Sequence, residues 1–300
     1  MNEAEREAWN EPTTRVRLDL AYDGSGFHGW AKQPGRRTVQ GELEAALETL
    51  FARDQPAPRI TVAGRTDVGV HAIGQVAHLD LREAQLTYLR RTRDGRVGRD
   101  AGIATLARRL TGMAGREGDV VIHHASAAPL GFDARFSAVW RRYEYRITDR
   151  PDAHDPRTRG HTLWYPRPLE VEAMNEAADV LLGLHDFASF CKPRPEATTI
   201  RTLQSFSWSR DGGVLIARLQ ADAFCHSMVR ALVGACVAAG EARLTPDRVG
   251  ELRDAHARTS EFAVLPAHGL TLVEVGYPPD DELAARAEQT RARRDVEQVD

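Results

Sequence analysis

The chain has almost no lysine, only three cysteines and no long apolar run. No uninterrupted apolar stretch approaches the roughly 18 residues that a membrane-spanning helix needs, so we expect no membrane segment. The first 14 residues are acidic and lack the apolar core of a signal peptide, which predicts a cytoplasmic protein. Cys191, Cys225 and Cys236 show no C-x-x-C spacing, so we expect buried free thiols and neither a disulfide framework nor a zinc site.

Lysine is confined to Lys32 and Lys192, so almost every cationic side chain is an arginine. Residues 1–14 and 280–300 each carry a net charge of −3, so the core, residues 15–279, carries +3 although the whole chain carries −3. The planar guanidinium group pairs with phosphate through two hydrogen bonds and stacks on bases. The bias therefore favours a nucleic-acid partner, with genome composition as the alternative cause.

Hydrophobic periodicity predicts an α+β protein made of two similar α/β halves, at 15–126 and 127–279. Strands with alternating apolar residues are predicted at 15–22, 59–63, 75–81, 120–125, 141–147, 202–209, 214–224 and 270–275. Helical spacing predicts helices after Thr38 and at 104–110, 171–182, 227–239 and 246–257. Short turns between strands favour antiparallel sheets flanked by helices. The ends are predicted to be a disordered acidic tail at 1–14 and a solvated charged tail at 280–300.

A glycine-rich string at 24–29, G-S-G-F-H-G, matches a dinucleotide-binding fingerprint but lacks its context. In such a site a helix begins within the turn and faces the pyrophosphate, whereas here the predicted helix waits until Thr38. We therefore expect no nicotinamide cofactor. The alternatives are a plain surface loop and a loop that approaches RNA, with His28, Trp30 and Lys32 available for stacking and phosphate contact.

A second loop places one carboxylate, Asp67, between predicted strands and next to glycines. Arg65 precedes it by two positions, and Gly69 and Gly74 give the backbone freedom. A polar loop held between strands is a typical place for catalytic residues. An aspartate in a turn also commonly serves only to stabilise that turn, so the loop alone leaves both roles open.

The motif around this loop, G-R-T-D-V-G-V-H-A-I-G-Q-V at 64–76, resembles the signature of the tRNA pseudouridine synthase A family. Other segments resemble that family in the same order. They are Y-D-G-S-G-F-H-G-W at 22–30, F-D-A-R-F-S-A at 132–138, R-R-Y-E-Y at 141–145, H-D-F-A-S-F at 185–190, T-I-R-T-L at 199–203, F-C-H-S-M-V-R at 224–230 and H-G-L-T-L-V-E-V-G-Y-P at 268–278. The resemblance covers about residues 20–278 and implies the pseudouridine synthase fold, with the active-site cleft between the halves.

The resemblance implies a tRNA-modifying isomerase that needs no cofactor and no metal. It assigns Asp67 as the catalytic carboxylate, acting on a flipped-out uridine at tRNA positions 38 to 40. Arg230 is expected to pair with Asp67, Tyr143 to stack on the base, and Arg65 to help hold the base out of the stem. Family members are homodimers, which predicts tRNA and a second copy of the chain as partners.

The match weakens at residues 108–119, where Thr111 replaces the family's asparagine and its Leu-Pro pair is absent. This departure leaves open an RNA-binding or chaperone protein of the same fold that has lost catalysis.

Overall fold

The computed structural model describes residues 11–91, 102–115, 117–192 and 198–296. They divide into two compact units. Unit 1 comprises the described residues up to Thr66, those of Ala72–Ala138 and those from Tyr277 onward; unit 2 comprises those of Asp67–His71 and Val139–Gly276. Both units combine antiparallel strands with helices, so the predicted α+β class is confirmed. The boundary lies after Ala138 and not at 126, because Ala134 is hydrogen-bonded to His78 and Tyr277 in unit 1.

Unit 1 is built on three antiparallel strands in the order β4-β1-β3, with the two-residue β2 paired to β3. Its strands are β1 (Thr13–Tyr22), β2 (Thr61–Val62), β3 (His71–Arg82, whose first residue belongs to unit 2) and β4 (Val120–Ala127). Its helices are α1 (Val39–Leu50), α2 (Glu83–Arg90), α3 (Ile103–Ala114) and α7 (Leu283–Val296). Alternating residues Val16, Leu18 and Leu20 of β1 are fully buried, as the period-two pattern predicts.

Unit 2 is built on five antiparallel strands in the order β10-β5-β9-β8-β7, with a short β6 parallel to β5. Its strands are β5 (Trp140–Thr148), β6 (Leu163–Trp164), β7 (Gly183–Asp186), β8 (Ile200–Asp211), β9 (Val214–Ala221) and β10 (Leu270–Gly276). Its helices are α4 (Val171–Asp179), α5 (Met228–Gly240) and α6 (Pro246–Asp254). β8 and β9 form a hairpin at Gly212, whose φ of 55° suits a residue without a Cβ.

The glycine-rich loop at 24–29 forms a single 3-10 turn, Gly24–Gly26, and no α-helix begins before Val39. Thr38 caps that helix by accepting the N–H of Gly41 at 3.2 Å. The expectation that Trp30 is available to RNA is wrong, because its ring is buried beside Tyr22. The ammonium group of Lys32 lies within 4.0 Å of carboxylates on α1, so this cation is already paired.

The C-terminal segment is not the solvated tail that its charge predicts, because residues 283–296 form helix α7. Leu283 and Ala287 are buried, the carbonyl of Leu283 accepts the Ser137 hydroxyl at 3.1 Å, and Arg291 pairs with Asp133 at 2.9 Å. The predicted acidic tail at 1–14 falls largely outside the described residues, and its last two residues belong to β1.

The expectation of three free thiols is wrong, because Cys191 and Cys225 form a disulfide. Cys236 remains a free thiol buried in α5, and burial raises its pKa to about 12. The bonded pair is separated by 34 residues, so no local spacing announces it.

No helix among the described residues is both long and apolar enough to cross a membrane. No group of three or more His, Cys, Asp or Glu side chains in this part of the chain is arranged to hold a metal ion.

Candidate active site

The loop that carries Asp67 is a tight turn packed within unit 2. Its backbone closes by a hydrogen bond from Val70 N to Asp67 O at 3.2 Å. Gly69 has a φ of 75°, which a side chain would strain. The loop ends at His71, whose buried ring places Nε2 3.1 Å from the carbonyl oxygen of His268. These contacts fix the backbone on which the Asp67 carboxylate is mounted.

The residues that lead into the loop are held by a buried hydrogen-bond network in unit 1. The hydroxyl oxygens of Tyr22 and Thr66 lie 2.8 Å apart, and Gln75 donates to the Tyr22 hydroxyl at 3.1 Å and to the carbonyl of Gly64 at 2.9 Å. Burial raises the pKa of Tyr22 to about 12, so the hydroxyl stays neutral at physiological pH. Thr66 directly precedes Asp67, and its side chain is therefore tied to the core.

The Asp67 carboxylate lies beside an imidazole that the sequence did not single out. Asp67 Oδ1 is 3.5 Å from His226 Nε2, and the two side chains are 33% and 25% exposed. Both groups are thus partly shielded while remaining accessible. His226 precedes α5 in the segment Phe224–Arg230, which we call the 224–230 segment.

The same segment contacts Tyr143. This tyrosine lies on β5, opposite Leu219 of β9 and Leu272 of β10, and is only 8% exposed. Its ring meets that of Phe224 edge-to-face, with centroids 5.2 Å apart. Two residues along the strand, the buried Tyr145 hydroxyl donates to the carbonyl of Pro266 at 2.7 Å. Burial raises the pKa of Tyr145, and the positive charge of Arg230 partly opposes that rise.

The predicted ion pair between Arg230 and Asp67 is absent. Within the described part of the chain, no carboxylate oxygen lies within 4.0 Å of the Arg230 guanidinium. Arg230 instead places Nη2 3.3 Å from the hydroxyl of Ser227, one helical turn back, and its buried Nε has no hydrogen-bond partner. The reason lies in the start of α5, which puts Ser227 within reach of Arg230 and gives the contact with Asp67 to His226.

Arg65 lies in unit 1, two residues before Asp67, and its side chain is exposed. Among the described residues its guanidinium has no hydrogen-bond or ion-pair partner. An exposed cation of this kind remains available to a polyanionic ligand.

Three of the four predicted site residues, Asp67, Tyr143 and Arg230, therefore lie in unit 2. The ring contact of Tyr143 and the ion-pair contact of Asp67 link them through the 224–230 segment and not directly to one another. Phe224 contacts Tyr143, His226 faces Asp67, and Arg230 follows one turn later. Sequence reasoning missed His226 and Phe224. The signal for His226 was present, because it is the only imidazole in the 224–230 segment, and an imidazole can act as both donor and acceptor of a hydrogen bond.

The atypical stretch at 108–119 has a local structural explanation at Thr111. Its hydroxyl accepts the N–H of Ile122 at 2.9 Å, which ties α3 to β4 within unit 1. The residue that replaces the expected asparagine therefore has a packing role of its own.

Comparison with known proteins identifies the family to which the chain belongs. The profile of the tRNA pseudouridine synthase family matches residues 20–110 and 177–278. The tRNA pseudouridine synthase A of Leifsonia xyli is 58% identical over 288 residues, which cover 95% of this chain and 99% of the relative. The corresponding proteins of Streptomyces griseus and Frankia casuarinae are each 54% identical, with coverage of 92% and 93% of this chain and 93% and 95% of theirs. The chain therefore belongs to the tRNA pseudouridine synthase family.

Proposed function

We propose that the chain isomerises uridine to pseudouridine in the anticodon stem-loop of tRNA, at positions 38 to 40, with Asp67 as the catalytic carboxylate. The observation that supports this role is the position of Asp67 on a rigid turn beside His226, in a partly shielded site. Relatives that are 58% and 54% identical to this chain are named tRNA pseudouridine synthase A.

The chemistry accounts for the residue types. The N1–C1′ bond of uridine breaks, the uracil turns, and a bond forms between C5 and C1′, so every heavy atom of the substrate is retained. Such a reaction calls for a carboxylate as nucleophile or base and for a pocket that holds the detached base. In this proposal Asp67 supplies the carboxylate, and Tyr143 supplies an aromatic ring that an edge-to-face contact with Phe224 holds in place.

Arg65 and Arg230 complete the proposed site as cationic residues. Arg65 is exposed, so it is free to occupy the gap that a flipped base leaves in the stem. Arg230 lies in the 224–230 segment, one helical turn after Ser227, and supplies a guanidinium to the segment that also carries His226.

We further propose that the enzyme is a cytoplasmic homodimer with one tRNA contacting both subunits. The positive core, residues 15–279, suits a polyanionic substrate, which is found in the cytoplasm. Sedimentation equilibrium of the purified chain tests the dimer directly. A monomer at micromolar concentration, with full activity, would contradict it.

The function is tested with unmodified tRNA in which uridine is tritiated at C5. Pseudouridine formation replaces hydrogen at C5 with the ribose carbon and so releases the label to water. We expect wild type to release it and Asp67→Asn to release none, while both bind tRNA with similar affinity.

The matched control is Asp211→Asn, because Asp211 is an exposed aspartate at the β8–β9 turn. This variant should release label at the wild-type rate. Binding of tRNA by wild type without label release would instead support the alternative of an RNA-binding protein that has lost catalysis.

A further inference from the structure

Among the described residues, the Asp67 carboxylate has one ion-pair contact, with His226, whose Nε2 lies 3.5 Å from Oδ1. We propose that His226 is a positioning residue that holds this carboxylate in its reactive orientation. The inference rests on the proposed function, because it assumes that Asp67 reacts with the substrate.

The backbone beside His226 adopts a costly conformation. Ser227 has a φ of 66°, in the left-handed region that residues other than glycine rarely adopt. Non-glycine residues in this region cost on the order of 1 kcal/mol and persist where the surrounding structure holds them, frequently at functional sites. Here the Ser227 carbonyl accepts the N–H of Ala231 at 3.1 Å, so the first turn of α5 fixes the strained residue.

A second chain segment holds His226 from the other side. The N–H of Lys192 donates to the carbonyl of His226 at 3.0 Å. The residues that precede these two, Cys191 and Cys225, are joined by the disulfide. A hydrogen bond and an adjacent covalent link thus tie the His226 backbone to the end of the 3-10 turn Ala188–Phe190.

These constraints converge on one effect, the placement of the imidazole. The backbone is held on one side of His226 by the first turn of α5 and on the other by the two links to 191–192. The imidazole is only 25% exposed and faces a carboxylate that is itself 33% exposed. A carboxylate on a surface turn rotates freely about its side-chain bonds unless a neighbouring group restrains it, and His226 occupies the place of that neighbour.

The test compares His226→Ala with His226→Gln. Loss of the ring leaves Asp67 unrestrained, so we expect kcat for tritium release to fall about 10- to 100-fold in His226→Ala, the range that small misplacements of a catalytic group produce. The Kd for tRNA should stay within roughly twofold, because the lost contact is to Asp67 and not to RNA. Glutamine carries an N–H group at a similar distance from the backbone, so His226→Gln should recover most of kcat.

Three comparisons make the outcome decisive. An unchanged kcat in His226→Ala, or a loss confined to tRNA affinity, overturns the positioning role. Equal loss of kcat in the Ala and Gln variants also overturns it, since a donor at this place would then be irrelevant. The melting temperature of each variant identifies misfolding, and if His226→Ala is unstable, His226→Leu, which keeps much of the side-chain volume but has no N–H group, takes its place in these comparisons.

Failure of this inference is distinguishable from failure of the proposed function. If Asp67→Asn is inactive while His226→Ala turns over normally, only the role of His226 is lost. If Asp67→Asn releases label, the catalytic assignment itself fails. His123→Ala, which changes an exposed histidine on β4 in unit 1, is the matched control and should turn over at the wild-type rate.

Discussion

The hydroxyl groups of Tyr22 and Thr66 lie 2.8 Å apart in the core of unit 1, one residue before the loop that carries Asp67. Tyr22→Phe removes the shared hydrogen bond and the acceptor of the Gln75 amide. We expect the free energy of unfolding to fall by about 1–2 kcal/mol, because buried polar groups are left with fewer partners. Urea unfolding of the variant and wild type measures the difference.

Tyr88→Phe is the control for that experiment. The Tyr88 ring packs against Phe51, and its hydroxyl has no hydrogen bond to any residue that the structure describes. Its removal should change stability by less than about 0.5 kcal/mol. Equal effects of the two substitutions would show that the Tyr22 network does not stabilise the protein.

Acid should destabilise unit 1 through His78. This buried ring accepts the N–H of Ala134 at Nδ1, 3.0 Å away, and burial together with the charge of Arg15 lowers its pKa from 6.5 to about 4. The unfolded chain therefore binds the proton at a higher pH than the folded chain does. The stability from neutral His78 is present above pH 6.5 and is lost as the pH falls toward 4, with a slope of at most about 1.4 kcal/mol per pH unit.

His78→Asn tests this pH dependence. Asparagine can accept the same N–H through its side-chain oxygen but does not titrate. The stability difference between wild type and variant should therefore shrink as the pH falls from 7 to 4. A difference that is constant over this range would contradict the assignment.

Two leucines of unit 1 provide a matched test of the C-terminal helix. Leu283 begins α7 and is 2% exposed, whereas Leu130 is 96% exposed. Leu283→Ala should lower the free energy of unfolding by about 2–3 kcal/mol, because it leaves a cavity under the helix. Leu130→Ala should change it by less than about 0.5 kcal/mol. If both variants unfold alike in urea, α7 does not contribute to the stability of unit 1.

The disulfide predicts a definite number of reactive thiols. In denaturant without reductant, only Cys236 should react with a thiol reagent, and all three cysteines should react after reduction. Closing a loop of 34 residues stabilises a fold by about 3–4 kcal/mol in the chain-entropy model, so Cys225→Ser should melt at a lower temperature. Three reactive thiols before reduction would contradict the crosslink.

The sequence predicted those features whose signal is local. The alternation in β1 and the cap at Thr38 each depend on a few neighbouring residues, and both lie where the pattern places them. The family motifs likewise predicted the segments that meet at Asp67. Local chemistry and its order along the chain were sufficient for these features.

The features that the sequence did not predict depend on distant partners. Helix α7 buries only Leu283 and Ala287 among its described side chains, so it has no apolar stripe that a periodicity argument detects. The disulfide joins cysteines far apart in sequence, and the burial of Trp30 depends on its packing against Tyr22. The contact of Asp67 with His226, and not with Arg230, depends on how the 224–230 segment packs against the Asp67 loop, which no residue pattern specifies.

Arg65 should contribute one phosphate contact to tRNA binding. The affinity of a protein that neutralises phosphates falls linearly with salt on a double-logarithmic plot, because bound counterions are released. Arg65→Gln should weaken tRNA binding. It should also reduce the magnitude of that slope by about one, the contribution of a single phosphate contact. Filter binding between roughly 50 and 200 mM salt covers the range in which this slope is measurable.

Arg248→Gln is the matched control, because its guanidinium is also exposed but already pairs with Glu251 and Glu261. A cation neutralised by two carboxylates contributes little to the attraction of RNA, so the slope should stay at the wild-type value. Equal slopes for Arg65→Gln and wild type would show that Arg65 makes no phosphate contact with the RNA. An equal loss of tRNA affinity in Arg65→Gln and Arg248→Gln would instead indicate that the net charge of the protein, and not the position of Arg65, sets the affinity.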